Sequence, residues 1–182
     1  MKAPDHFTTI RLRLRRPALA DAELVFRRYA SDPEVTKFLG WPRHTSVEQT
    51  HAFLQFSDAE WEKWPAGPYL IESAGEGGLL GSTGLAFEGT DRAMTGYVLA
   101  KDAWGFGYAT EALDAMMHLA EILKVRELSA LCHPTHRASQ RVLEKCGFVR
   151  QLELVHSAFP NFADGSVAEA FRFVRPFPIP AA

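Results

Sequence analysis

Gly105 and Gly107 stand one residue apart between an apolar run and an amphipathic one, and no other stretch of the chain points so directly to chemistry. Tyr97-Val98-Leu99-Ala100 reads as the end of a strand, and Ala109, Ala112, Leu113, Met116, Ala120 and Leu123 recur at helical spacing. A strand, a glycine loop and a helix N-terminus together make an anion cradle. Glycine lets the backbone approach a ligand with no side chain between them, and the first N–H groups of a helix lack intrahelical partners. The helix dipole adds positive charge at the same point, so the natural guest is a phosphate or pyrophosphate. Read as a dinucleotide fingerprint instead, Gly105-Phe106-Gly107 fails at the third glycine, where Thr110 stands. The glycines from Gly77 to Gly84 lack the Lys-Ser/Thr ending and the following helix of a P-loop, and read as a turn and a strand.

The elements that position the cradle follow from periodicity. Residues 1–7 read as a flexible leader and Thr8 to Arg16 as a first strand that Pro17 stops. Ala18 to Ala30 carries an apolar stripe at helical spacing. Asp32 and Pro33 suit the N-cap and first position of a short helical turn reaching Leu39. A second helix runs from the capping signature at Thr45 to Lys63, with Ser57 as the place where it could break. Pro68 to Ser73, Leu79 to Glu88 and Arg92 to Ala100 form an antiparallel meander through short glycine turns. Beyond the cradle come a helix from Tyr108 to Lys124, a buried strand from Glu127 to His133 parallel to the strand before the cradle, and a helix from His136 to Lys145 that Gly147 caps. Strands near Phe148 to Val155 and Ala168 to Val174 finish the sheet, and residues 176–182, rich in proline, form an extended tail.

Composition limits the alternatives. The 182 residues suffice for one domain, residues 1–182, that needs no disulfide or metal to fold. A net charge of −2 supplies no field to recruit nucleic acid or an anionic membrane. The cluster Arg11, Arg13, Arg15, Arg16 alternates with Ile10, Leu12 and Leu14 as the solvated face of a strand would. Two cysteines, Cys132 and Cys146, without C-x-x-C spacing fit a reducing, cytoplasmic setting and no structural metal site. The N-terminus lacks the apolar core of a signal sequence, and no run approaches the ~18 apolar residues of a membrane span. Partners are therefore expected to be small molecules or peptides, not nucleic acid or membrane.

Two blocks then carry a family resemblance. Trp104-Gly105-Phe106-Gly107-Tyr108-Ala109-Thr110-Glu111-Ala112 resembles the Q/R-x-x-G-x-G/A signature of the GNAT superfamily of acetyl-CoA-dependent N-acetyltransferases. His136 to Phe148 is similar to the N-x-x-S-x-x-V-L-E-K-x-G-F block of its RimJ/RimL-like branch, which acetylates ribosomal-protein N-termini and related amines, and Leu12 to Asp21 and Ser31 to Val35 are similar as well. The resemblance implies a GNAT fold of the α/β (α+β) class: a mixed, mostly antiparallel sheet of six to seven strands, splayed between the fourth and fifth, with about four helices. It implies acetyl-CoA as cosubstrate and no metal. Backbone groups of Tyr97 and Leu99 would pair with the pantetheine arm, and the N–H groups of Gly105, Phe106, Gly107, Tyr108, Ala109 and Thr110 would hold the pyrophosphate. Trp104 replaces the usual Gln or Arg. His136 replaces the usual Asn, and either donates to the pantetheine or caps its own helix.

Acetyl transfer to an amine needs a neutral nucleophile, donors for the developing oxyanion and a proton for the departing thiolate. A protein α-amine, with a pKa of about 7.7 to 8.0, loses its proton far more easily than a lysine near 10.4. The resemblance offers the Tyr97 N–H as oxyanion donor. Leu143 stands where many members place a tyrosine acid, which leaves Ser139, one turn earlier, as its substitute or as a hydroxyl that merely caps or packs. Glu88, Asp91 and Glu72 are the candidate bases, Glu111 steadies the first turn of its helix, and His118 is structural. Cys132 and His133 fall near the expected thioester. Gly40 to Pro68, rich in aromatics, either selects the acceptor or packs Trp41, Trp61 and Trp64 as core and lid. The expected acceptor is a protein or peptide N-terminal α-amine. A small-molecule amine and a non-catalytic acetyl-CoA-binding module are the alternatives, as monomer or homodimer.

Overall fold

The computed structural model describes residues 1–75, 77–162 and 167–177. Among them eight strands form one sheet: β1 (His6–Thr8), β2 (Leu12–Arg15), β3 (Pro68–Ser73), β4 (Leu79–Phe87), β5 (Arg92–Leu99), β6 (Glu127–Cys132), β7 (Val149–Ala158) and β8 (Val167–Pro176), in the order β1-β2-β3-β4-β5-β6-β8-β7. The helices are α1 (Ala22–Val25), α2 (Pro33–Thr36), α3 (Val47–Lys63), α4 (Tyr108–Ile122) and α5 (Arg137–Lys145). This is the GNAT fold, with one strand and one helix more than expected.

All neighbours in the sheet are antiparallel except β5 and β6. That parallel pair meets only at Arg92↔Glu127, Ala93↔Leu128 and Met94↔Ser129. Beyond it β5 stays with β4 as far as Leu99, while β6 stays with β8 as far as Cys132. The sheet opens there into a V, and Thr95–Leu99 face no strand on the open side.

Alternating residues serve opposite faces of the sheet, as strand geometry requires. Tyr69, Ile71 and Leu99 join α4 and Phe173 in one core, and Leu70 and Val98 join Val25, Tyr29 and Val35 in the other. The first helical segment reaches Tyr29 through a change of pitch. It starts as a 3-10 turn, Leu19–Asp21, and after α1 ends in a π turn, Phe26–Ala30, in which both the N–H and the hydroxyl of Ser31 donate to the Phe26 carbonyl.

Several expectations need correction. Thr8 to Arg16 is not one strand but a hairpin, β1 and β2, because Leu12 and Leu14 are fully buried while Ile10, at 95% exposed, lies in the turn. Residues 1–7 are not a loose leader: the Ala3 N–H donates to the Pro65 carbonyl and Phe7 packs against Tyr69. Helix α3 passes through Ser57 unbroken, since that small residue lies on its buried face. Pro176 ends β8 opposite Glu127, on which side no N–H is needed, and Phe177 is buried with its own N–H donating to Arg126. The rest of the expected tail, 178–182, lies outside the described residues. Among the described residues no helix is long and apolar enough to cross a membrane.

Candidate active site

A cavity of about 1050 Å³ runs through the opening between β5 and β6, lined by Thr95 to Leu99 on one side and Ala130 to Cys132 on the other. At one end stands the glycine loop. Gly105 and Gly107 have φ of +83° and +82°, a conformation that costs a residue with a side chain roughly 1–2 kcal/mol. Gly107 is the N-cap of α4 and has no side chain to occupy the helix N–H groups. The first intrahelical bond runs from the Glu111 N–H to the Gly107 carbonyl, so the N–H groups of Tyr108, Ala109 and Thr110, which line the cavity, are left for a ligand.

This loop is gripped from behind by the β1–β2 turn. The backbone N–H and Nε of Arg11 donate to the Glu111 carboxylate at 2.8 and 2.7 Å, and Nη1 donates to the Phe106 carbonyl at 2.8 Å. The guanidinium also lies 4.8 Å from the centre of the Tyr108 ring. Burial raises the Glu111 pKa, but hydrogen bonds from Thr9 and Arg11 outweigh it and hold the carboxyl below its usual range. Its charge is thus answered within the protein and does not oppose an anion at the helix end. Arg11 itself is off the cavity wall, on which Arg141 and Lys145 of α5 are the arginine and lysine among the described residues.

Along the V, the Trp104 indole donates to the Leu99 carbonyl at 2.8 Å while the side chain remains 45% exposed. The departure at this position therefore supplies a donor for a strand-edge carbonyl that β6 no longer faces. Further in, Tyr97 Oη lies 3.0 Å from Ser139 Oγ and donates to the Ser139 carbonyl at 3.2 Å. Leu143, 1% exposed, is plain core. The phenol absent from α5 is thus delivered to α5 from the opposing strand. Burial pushes the Tyr97 pKa up, only partly offset by Ser139, so this phenol keeps its proton. Burial likewise raises the Cys132 thiol, whose Sγ points to the carbonyls of His133 and His136. A thiol raised by burial disfavours the thiolate form that a nucleophile needs.

The far end of the cavity lies between the sheet and the N-terminal helices. Its floor includes Gly84 and Gly96, paired across β4 and β5, and its wall includes Phe38, Trp41, Phe53 and Phe56. His136 stands at the N-cap of α5 but its side chain makes no capping bond; the ring stacks on Phe38 at 4.2 Å, and burial, with a smaller effect from His133, lowers its pKa to about 4. His44 is bonded to Thr50 and its pKa is lowered by burial. Two carboxylates reach this wall. Glu34 is paired with Lys101 at 2.6 Å, whereas Glu60 makes no ion pair or side-chain hydrogen bond among the described residues.

The structure brings Tyr97, Leu99, Trp104, Gly105, Gly107, Tyr108, Ala109, Thr110, His136 and Ser139 to this one cavity. Phe106 supports the loop through its carbonyl and stacks on Tyr108, off the cavity wall. The three candidate bases are elsewhere. Glu88 sits at the exposed end of the β4–β5 hairpin, Asp91 faces Arg126, and Glu72 is held by Arg13 and Arg15. Of the tryptophans in the aromatic segment, Trp41 lines the cavity, Trp61 is core and Trp64 stacks on Phe87. Sequence reasoning passed over Glu60, although its spacing from Phe53 and Phe56 puts all three on one helical stripe. It also missed the Tyr97 phenol, whose strand parity alone could have aimed it at α5, and Arg11, for which no local signal exists.

Comparison with known proteins bears on the family and the fold. Residues 11–149 match the family model of the acetyltransferase (GNAT) domain. The uncharacterized N-acetyltransferase p20 of Bacillus licheniformis is 29% identical over 146 residues, which span 79% of this chain and 82% of that one. Among solved structures, the ribosomal L7/L12 alpha-N-protein acetyltransferase RimL, in complex with coenzyme A, superposes with a TM-score of 0.80 at 21% identity, covering 92% of this chain and 95% of its own. The microcin C7 self-immunity acetyltransferase MccE, in complex with acetyl-CoA and AMP, gives 0.82 at 16% identity over 96% and 98%. With the family model covering most of its length, the chain belongs to the GNAT acetyltransferase family.

Proposed function

We propose that this protein transfers the acetyl group of acetyl-CoA to the α-amine of a peptide or protein N-terminus. The observation that carries the reading is the unpaired edge of β5, which leads from the glycine loop to the Tyr97–Ser139 hydroxyl pair. The residues fit the cosubstrate. An extended amide chain pairs with an open strand edge as another strand would, and a pyrophosphate suits the free N–H groups of Tyr108 to Thr110. A side chain at Gly105 or Gly107 would force the loop out of that shape. RimL and MccE, solved with coenzyme A and acetyl-CoA, are similar in fold, which supports the same guest here.

When bound, acetyl-CoA supplies the acetyl group as a thioester, whose carbonyl carbon takes the amine nitrogen as the C–S bond breaks with its electron pair on sulfur. Tyr97 Oη holds the proton that the thiolate takes, and Ser139 orients that hydroxyl and can relay its replacement. The Tyr97 N–H is the oxyanion donor in this reading. The amine gives up its proton to water, which an α-amine permits near neutral pH.

Thiol release from acetyl-CoA, followed with peptides bearing free or blocked N-termini, tests this directly. The expected result is release with the free α-amine and none with the same peptide blocked at its N-terminus and carrying only lysine amines. Acetylated lysine would move the acceptor assignment. Acetyl-CoA binding with no amine turned over would make the protein a binding module. The alternative of a small-molecule acceptor is favoured by the likeness to MccE, and the same assay with free amino acids, polyamines and aminoglycosides decides it.

A further inference from the structure

Resting on the transfer reading above, we infer that the far end of the cavity selects a primary amine borne on a bulky apolar group with no negative charge beside it. A peptide N-terminus with a large apolar first residue, or the corresponding amino-acid amide, has this chemistry. Glu60 is the group that recognises its ammonium.

The first argument is shape. The floor at Gly96 is bare, and an added Cβ there would meet nothing within 4 Å. The walls above it are Phe38, Trp41, Phe53 and Phe56, the last 57% exposed at the rim. Thr83 and Thr95 alternate with these glycines and so serve the other face of the sheet, where Thr83 Oγ1 donates to the Gly96 carbonyl at 2.8 Å and Thr95 Oγ1 to the Gly84 carbonyl at 3.0 Å; neither offers a hydroxyl to this floor. The hydroxyl side chains that do line this end, the buried Tyr29 phenol and Ser82, are few beside the aromatic rings, so a small polar side chain entering here would lose its water for little return. A large apolar one would cover aromatic surface, at about 25 cal/mol per Å².

The second argument is charge. Arg141 and Lys145 are on α5, the helix that closes on α4 and its glycine loop, and at the acceptor end Glu34 is neutralised by Lys101. Burial lowers the pKa of His44, His133 and His136, so the nearby imidazoles supply no cation. Among the described residues of this wall, one carboxylate is left without a side-chain partner, Glu60. One such charge matches one ammonium. A free amino acid would bring its own carboxylate to a wall that at this end carries no lysine or arginine among the described residues, since the exposed Lys37, 5.4 Å from the Phe38 ring, does not line it; a polyamine or aminoglycoside would bring several cations to a single acid.

The test compares kcat/KM for leucinamide, phenylalaninamide, glycinamide, serinamide and free phenylalanine, and for peptides opening with the same four residues. Equilibrium binding of phenylalaninamide to the protein loaded with coenzyme A is measured alongside by calorimetry. The large apolar amides are expected to exceed glycinamide, serinamide and free phenylalanine by about tenfold or more, one side chain's worth of burial. Higher rates for the peptides identify an N-terminus as the source, and equal rates a small amine. Glu60→Gln should raise KM and weaken phenylalaninamide binding about tenfold while leaving the calorimetric affinity for coenzyme A in place. Gly96→Val, which fills open space, should reverse the order in favour of glycinamide. Equal rates across the panel, a preference for serine or free amino acids, or unchanged selectivity in both variants overturns this inference alone. Turnover of no amine at all overturns the transfer reading and this inference together.

Discussion

The two ends of the cavity are made of different material. At the glycine loop nearly every proposed contact is main chain: N–H groups of a helix end and the edge of a strand, with the glycines keeping side chains away. At the acceptor end main chain is confined to the floor at Gly84 and Gly96, and the walls are side chains from α2, α3 and the segment between them. A site of backbone holds one guest and tolerates sequence change around it. A site of side chains can be refitted without disturbing the fold, which is how one scaffold keeps its donor and changes its acceptor.

Three substitutions sharpen that contrast. The largest effect is expected where the two ends meet. Tyr97→Phe keeps the backbone contacts but removes the proton donor, and kcat should fall by about 100-fold with little change in KM for acetyl-CoA. Ser139→Ala should cost less, because the phenol stays in place; an unchanged kcat in Tyr97→Phe would move the acid elsewhere. Next comes the backbone end. Gly107→Val forces a branched residue into the left-handed region and should weaken acetyl-CoA binding roughly tenfold, read by calorimetry, without altering the ranking of amine acceptors. A change of ranking would mean that the two ends are not separable.

The smallest effect concerns His136, whose pKa is about 4 in the fold against 6.5 for an unperturbed imidazole. A group whose pKa is depressed on folding contributes stability above its unfolded value and loses it as pH falls, here from 6.5 through 4. The melting temperature should therefore decline over that window. In His136→Phe, which retains a ring to stack on Phe38, the decline should be shallower, as thermal scans at several pH values would show. Parallel curves would assign the pH response to other groups.

The backbone end was legible in the sequence because its signals are local. Two glycines, a strand before them and a helix after them are contiguous, and Gly107 and Gly147 adopt the left-handed conformations their positions suggest. The opening of the sheet after Met94 was legible only through the family resemblance, since nothing in β5 or β6 taken alone says where pairing stops. The acceptor end was read as a region and not as residues. Trp41, Trp61 and Trp64 look alike in sequence, yet one lines the cavity and two are packing, which depends on what lies opposite each. The same limit explains the bases. Glu88, Asp91 and Glu72 are close to strand β5 along the chain or across the sheet, whereas Glu60 reaches the cavity from the helix above it.

The grip of Arg11 on Glu111 and Phe106 joins residues about a hundred positions apart. During synthesis the first hairpin emerges long before its partner and waits for most of the chain, with loop closure opposing the meeting. The glycine loop acquires its backing only when that late contact forms. Occupation of the loop by an anionic ligand consequently favours, by mass action, those molecules whose N-terminal hairpin has already docked, so the donor substrate doubles as a fastener for the completed fold.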